Sequence, residues 1–184
     1  MRKNLMLLVS LVLFVMALDA LELGKVTLPD ELQAGDNILQ LNGAGWRKKL
    51  IIKVYAGALY LTEKSSSAEE ILNNDLPIII RMHFVYDGVT PEKLVSAWNE
   101  GFANAAVADS LQPKIDTFNA LFTETAQSDD IYDIIYLPGV GTSLYVNDII
   151  KGTIPGFEFR KAVYSIWLGE NTALASLRDK MLGN

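Results

Sequence analysis

A basic turn and a tyrosine that follows it are the groups in this sequence best suited to binding an anion. Arg47 precedes Lys48 and Lys49, and Tyr55 lies in the next apolar stretch. A planar guanidinium can donate two parallel hydrogen bonds to a carboxylate and stays charged at any working pH. The residues alone leave a second interpretation open, in which Arg47 lies in a solvated turn and Tyr55 is a core residue with its hydroxyl bonded to the backbone.

Other side chains do not form a catalytic or metal-binding set. His83 is the single histidine and the chain has no cysteine, so the usual zinc ligands and a Ser/His/Asp or Cys/His arrangement are both missing. No cofactor is expected. Because Arg81 shares a strand face with His83, His83 is predicted to face solvent or to support other residues. The three tryptophans are predicted to be core residues, with the lining of an apolar cleft as the alternative. The carboxylates Asp129, Asp130 and Asp133 are predicted to form a solvated acidic turn.

Composition limits the class of protein. The 184 residues carry a formal net charge of −6, and 50% of them are hydrophobic. This is the composition of one globular domain. An acidic surface argues against a nucleic-acid partner, since phosphate contacts require cations. We expect a monomer.

The N-terminus has the order of a secretory signal peptide. Arg2 and Lys3 precede an apolar run, LMLLVSLVLFVMA, and alanines follow at positions 17 and 20. We therefore predict a signal peptide over residues 1–20, a single domain over 21–184 and a periplasmic mature protein without stable membrane insertion. The alternative is an uncleaved N-terminal anchor, although the run of 13 residues is shorter than the roughly 20 that a spanning helix needs.

Hydrophobic patterning predicts mainly strands, then two helices, then strands, then two helices. This order is typical of an α+β fold in which an antiparallel sheet is covered by helices. A strand over 38–42 is predicted to end at Gly43 and Gly45. The segment 50–61 is predicted to be a strand covered on both faces, with small residues at 56–58 that admit a helix or a ligand.

Five sequence blocks follow one another along the chain. They are Leu41-Asn-Gly-Ala-Gly-Trp-Arg47, Lys53-Val-Tyr-Ala-Gly-Ala-Leu-Tyr60, Arg81 to Phe84 with Tyr86-Asp87 and Trp98, Leu137-Pro-Gly-Val-Gly-Thr142, and Gly156-Phe157 with Ile166-Trp-Leu-Gly169. In this order the blocks resemble the chalcone isomerase-like family, in particular its bacterial secreted branch. The resemblance implies an open-faced β-sandwich, in which a large antiparallel sheet carries a layer of helices on one face and a ligand cleft lies between them.

The family includes enzymes that cyclise chalcones and non-catalytic members that bind fatty acids, and the resemblance distinguishes them by residue. Arg47 matches an arginine common to both. Tyr55 matches a tyrosine of the fatty-acid binders, where the enzymes have threonine. The enzymes' tyrosine and asparagine beside the cleft fall near Thr90 and Ala97, and their late serine or threonine falls near Arg160, so none of these matches.

The resemblance thus implies that Arg47 and Tyr55 bind the head group of a fatty acid or a similar small apolar carboxylate. In one straight strand these residues would lie about 26 Å apart. A tight turn or bulge is therefore predicted between them, at Lys48-Lys49. Two alternatives remain: an intramolecular lyase or isomerase of chalcone isomerase type, and a periplasmic interaction module without a ligand. Enzymatic activity is not expected.

Overall fold

The computed structural model describes residues 20–184, so residues 1–19 of the predicted signal peptide lie outside the described residues. The described residues form nine strands and five α-helices. The strands are β1 (Ala20–Leu23), β2 (Val26–Pro29), β3 (Glu31–Ala34), β4 (Asn37–Lys49), β5 (Ile52–Leu61), β6 (Ile78–Phe84), β7 (Ile131–Leu137), β8 (Gly141–Val146) and β9 (Ile149–Ile154). The helices are α1 (Ala68–Asn73), α2 (Pro91–Asn104), α3 (Gln112–Asn119), α4 (Phe157–Leu168) and α5 (Ala175–Met181).

Strands β3 to β9 form one antiparallel sheet in which each strand pairs with the next strand along the chain. Helix α1 connects β5 to β6, α2 and α3 connect β6 to β7, and α4 and α5 follow β9. Strands β1 and β2 pair only with each other. The α+β architecture predicted from the sequence is confirmed.

The sheet separates two hydrophobic clusters. The larger cluster joins inward-facing strand residues such as Leu59, Ile80 and Ile134 to the helices, through residues such as Trp98 and Trp167. The smaller cluster lies on the other face, where Val26 and Leu28 of β2 pack against residues of β3 to β6. Strand β5 is therefore buried on both faces, as its two apolar faces predicted.

Capping residues fix where α1 and α2 begin. The hydroxyl of Ser67 accepts a hydrogen bond from the Glu70 amide at 3.2 Å, and that of Thr90 accepts one from the Lys93 amide at 3.4 Å. Each bond satisfies an amide that has no partner within the helix. Pro91 follows as the first residue of α2, where its missing N–H costs nothing.

The structure corrects one prediction about β4 and confirms another. The strand does not end at Gly43 and Gly45 but continues to Lys49. The bulge predicted near Lys48-Lys49 is present between Arg47 and Lys48, and the turn itself follows at Leu50 and Ile51. The glycines serve packing instead of termination. A Cβ atom on Gly43 would lie 2.2 Å from the Lys180 carbonyl oxygen, and one on Gly45 would lie 2.8 Å from the Lys180 Cβ, so both glycines let α5 pack directly on the strand.

The structure also contains strands that the pattern did not predict. Strands β1, β3 and β9 are short, and β3 and β9 are the edges of the main sheet. In β9, a bulge between Ile150 and Gly152 interrupts the alternation, and Ile149 and Ile150 are both exposed, so the strand lacks a clear two-residue pattern. Among the helices of residues 20–184, none is long and apolar enough to cross a membrane.

Candidate functional site

The β4–β5 hairpin places Arg47 directly opposite Tyr55. The two residues are register partners, with a bulge between Arg47 and Lys48. Directly opposite residues of an antiparallel pair project on the same face, with Cβ atoms about 5 Å apart. Tyr55 belongs to the cluster beneath the helices. The turn at Leu50–Ile51 thus brings together two residues that are eight positions apart in sequence.

A cavity of about 650 Å³ opens at this end of the sheet. Strands β5 and β6 provide one wall and helix α2 provides another, while Ile166 and residues 172–174 complete the lining. Most lining side chains are apolar, and the charged ones are Arg47, Lys49, Glu92, Lys93 and Glu100. A concave, mostly apolar site of this size with a few polar groups suits a small organic ligand.

Tyr55 presents a neutral hydroxyl at this cavity. Its side chain is 8% exposed, and its oxygen accepts a hydrogen bond from the indole N–H of Trp167 at 3.1 Å. Among residues 20–184 no acceptor receives the proton of that hydroxyl. Burial raises the pKa of Tyr55 to about 12, against the opposing effects of the Trp167 hydrogen bond and the charge of Arg47. Tyr55 is therefore a hydrogen-bond donor at neutral pH, with its oxygen held in place by Trp167.

Arg47 keeps most of its hydrogen-bonding capacity. Its side chain is half-buried, and Nη1 donates to the main-chain carbonyl of Lys48. Within the described part of the chain no carboxylate forms an ion pair with it. A guanidinium has five N–H donors, so several remain for a ligand. Arg47 also lines a second cavity of about 350 Å³ between β4 and α5, and Ala173 and Leu174 contribute to both cavities.

The sequence indicated only part of what Trp98 and Trp167 do in this site. Both were predicted to be core residues, and both are buried. Their rings meet edge to face with centroids 5.3 Å apart. Trp98 also lines the larger cavity, and no group among residues 20–184 accepts a hydrogen bond from its indole N–H. Helical spacing placed these rings in the core, but periodicity carries no information about which hydrogen bonds they form.

Arg81 and its partner correct the prediction made for Asp133. Arg81 does not face solvent: it donates two hydrogen bonds to Asp133, Nε to Oδ1 at 2.8 Å and Nη2 to Oδ2 at 2.7 Å. Asp133 lies within β7 and is 5% exposed, so it is not part of a solvated turn. His83 lies on the same face with its Nε2 3.5 Å from an Asp129 oxygen. Residues 20–184 contain no cluster of three or more His, Cys, Asp or Glu side chains that could hold a metal ion.

The positions at which the resemblance expects further catalytic groups have other tasks here. The Thr90 hydroxyl caps α2, and Ala97 lines the cavity with a methyl group. Arg160 is 1% exposed and donates to the carbonyls of Ile71 and Leu72, both at 2.6 Å. It therefore connects α4 to α1.

Comparisons with known proteins agree with this architecture. The sequence profile of the family described as chalcone isomerase-like matches residues 20–183. A solved structure titled as a fatty-acid binding protein of Arabidopsis thaliana superposes with a TM-score of 0.75. The two chains are 18% identical over 89% of this chain and 96% of the other. At that identity the superposition establishes the common fold. No curated protein matches this chain by sequence.

Proposed function

This chain belongs to the chalcone isomerase-like family, and from that premise we propose that it is a non-catalytic binder of a fatty acid or a similar small apolar carboxylate. The observation that carries the proposal is the position of Arg47, opposite Tyr55 in the β4–β5 register and at the wall of a mostly apolar cavity. A carboxylate placed there would receive hydrogen bonds from the guanidinium and from the Tyr55 hydroxyl.

The cavity provides for the rest of the ligand. Its apolar lining includes Val54, Met82, Phe84, Leu94 and Trp98. Burial of one methylene contributes about 0.8 kcal/mol, so about ten methylenes contribute about 8 kcal/mol. This is about the free energy of a micromolar complex. The superposed Arabidopsis protein, whose title names fatty-acid binding, supports the same class of ligand.

The residues favour binding over ring closure. A cyclase of this type needs reactive groups around its electrophilic anchor. The corresponding positions carry Tyr55 in place of threonine, a capping hydroxyl at Thr90, and Ala97. The proposal therefore predicts no turnover of a chalcone by the wild-type protein.

Native mass spectrometry of the purified protein tests the proposal. We expect the wild-type protein to carry a co-purifying carboxylic acid or to form a complex with added lauric acid. The Arg47→Met variant should show neither. Lys64→Met is the matched control, because it removes one cation at an exposed position outside the cavity. Equal loading of the Arg47→Met and wild-type proteins, or no binding across saturated acids of eight to eighteen carbons, would refute the proposed site.

We also propose that the protein is exported to the periplasm and cleaved after Ala20. The support is the basic, apolar and small-residue order of residues 2–20. Cleavage there would remove Ala20, the first residue of β1, and leave the other residues of that strand. The intact mass of protein released by osmotic shock should correspond to residues 21–184. Recovery of the full-length chain from the membrane fraction would contradict both cleavage and release.

A further inference from the structure

The tip of the β4–β5 hairpin is apolar, whereas solvated turns are usually formed by polar residues or glycine. Leu50 is 93% exposed and Ile51 is 92% exposed. Leu50 also adopts a positive φ of 57°. Two-residue hairpin turns with positive φ favour Gly, Asn or Asp, and a bulky apolar residue in this region is strained. Strained backbone at an exposed position is a reason to look for a function there.

The charge of the hairpin itself contrasts with that of the whole chain. Residues 37–62 contain four cations, Arg47, Lys48, Lys49 and Lys53, and no carboxylate, whereas the chain has a net charge of −6. Apolar side chains at a tip flanked by lysines match the surface of an anionic bilayer. There the lysines lie among phosphate head groups, and the apolar side chains enter the boundary with the acyl chains.

The tip is continuous with the large cavity. Lys49, Leu50 and Ile52 all line it, and so does Tyr86, whose side chain is 42% exposed. Tyrosine is enriched where proteins meet the bilayer interface, because its ring is apolar and its hydroxyl is polar. A membrane contacted by the tip would therefore lie beside residues that form the wall of the cavity.

We propose that the β4–β5 hairpin tip docks the protein on the surface of an anionic phospholipid bilayer. Lys48, Lys49 and Lys53 contact the head groups, while Leu50 and Ile51 enter the interface. The proposed contact is peripheral. It brings the cavity next to a source of amphipathic acids. The docking itself does not require that the cavity bind a fatty acid, so the two proposals can fail separately.

The β7–β8 hairpin supplies a matched control. Its tip holds Val140, which is 56% exposed, and the segment 137–142 has no charged residue. The strand registers place this tip at the opposite end of the sheet from Leu50 and Ile51. The chain has no cysteine, so Ile51→Cys and Val140→Cys each give one labelling site.

Sedimentation with vesicles measures the docking. The full chain is expressed, purified and mixed with vesicles of phosphatidylglycerol and phosphatidylethanolamine, and with phosphatidylcholine vesicles as the neutral case. We expect wild type and Val140→Ser to bind the anionic vesicles equally. The double variant Leu50→Asn/Ile51→Ser should bind at least about tenfold more weakly. Asn tolerates positive φ better than Leu, so this variant should fold at least as well as the wild type.

Charge is tested separately. Each lysine near an anionic surface strengthens binding about fivefold, so Lys48→Gln/Lys53→Gln should bind about 25-fold more weakly. The effect should shrink as salt is added. Equal vesicle binding by this variant and wild type would remove the electrostatic part of the proposal.

Labels at the two tips show which part of the protein contacts the vesicle. They are needed because the apolar run at residues 5–17 can itself bind vesicles if it is retained. An environment-sensitive fluorophore on Ile51→Cys should shift to the blue with anionic vesicles and be quenched by brominated lipids. The same fluorophore on Val140→Cys should not respond. Equal responses at both tips, or none at position 51, would overturn the proposal. So would a dimer in solution that Ile51→Ser breaks, since a second copy would then cover the tip.

Two single variants separate this inference from the proposed function. Ile51 does not line the cavity, so Ile51→Ser should bind lauric acid in solution as wild type does while losing vesicle binding. Arg47→Met should lose lauric acid and lose no more than about fivefold in vesicle binding, the effect of one cation. A protein that docks on vesicles but binds no acid would support the hairpin surface alone.

Discussion

Arg47 and Arg81 differ in whether their donors are already occupied. Arg81, on the sheet face away from the helices, forms two hydrogen bonds to Asp133, and the two side chains are 12% and 7% exposed. Arg47, at the wall of the cavity, donates to a neighbouring carbonyl and has no carboxylate partner among residues 20–184. The side-chain chemistry is the same, but only Arg47 has donors available to an incoming anion.

Arg160 shows that burial alone does not identify a binding residue. Its guanidinium is more buried than the other two, yet it donates to two main-chain carbonyls of α1. Burial lowers the pKa of Arg160, and the contacts with carbonyl oxygens and nearby rings offset part of the cost of burying the charge. Free donors beside a cavity, rather than depth, mark Arg47 as the candidate.

The largest effect that separates the two arginines is on stability. Arg81→Met leaves Asp133 buried without its partner, so we expect it to lower the free energy of unfolding by about 3–5 kcal/mol. Arg47→Met breaks no ion pair and should change it by about 0.5 kcal/mol or less. Urea denaturation measures both. Arg81→Met/Asp133→Leu should recover most of the loss, and comparable losses for Arg47→Met and Arg81→Met would show that the two cations do not differ as described.

The next effect concerns the head group of the ligand. Hydrogen bonds to a charged group are worth about 1.5–3 kcal/mol, so wild type should prefer laurate to dodecanol by that amount. The preference should disappear in Arg47→Met and persist in Arg81→Met/Asp133→Leu, because only the first variant changes the cavity. Competition with a fluorescent fatty acid measures it. A preference that survives in Arg47→Met would assign the head group to another cation, such as Lys49 or Lys93.

A smaller effect follows from the raised pKa of Tyr55. The native pKa is about 12, whereas an unfolded tyrosine ionises near 10. Between these values the unfolded chain binds fewer protons than the native protein, so stability falls as pH rises. Tyr55→Phe lacks this contribution. The stability difference between wild type and Tyr55→Phe should therefore shrink by about 1.4 kcal/mol between pH 8 and pH 11. A difference that does not change with pH would mean that Tyr55 is not buried as described.

The sequence predicted local features where one physical signal dominated. Ser67 and Thr90 cap α1 and α2 as predicted, because a hydroxyl just before a helix can accept a hydrogen bond from an amide of the first turn. Strand β5 is buried on both faces, as its apolar pattern indicated. The resemblance identified the family and the fold, which the family match and the superposition confirm. The pairing of Arg47 with Tyr55 as ligand residues stays a prediction.

The wrong predictions concern residues whose role depends on contacts with a distant part of the chain. Gly43 and Gly45 are residues typical of a turn, but in the structure they allow α5, more than 130 positions later, to pack closely on β4. Asp133 follows two acidic residues and was therefore assigned to solvent, while its partner Arg81 lies 52 positions earlier. The turn at Leu50–Ile51 has no turn residues, so no local signal could locate it.

The contact of α5 with the two glycines also links both cavities to a single packing contact. Leu174 at the N-terminal end of α5 lines both cavities, and the Asn42 side-chain amide donates to the Met181 carbonyl at the other end of the helix at 2.7 Å. The walls around Arg47 are therefore complete only while α5 lies on β4. A substitution at Gly43 or Gly45 that lifts the helix would open both cavities together, although neither glycine lies at Tyr55.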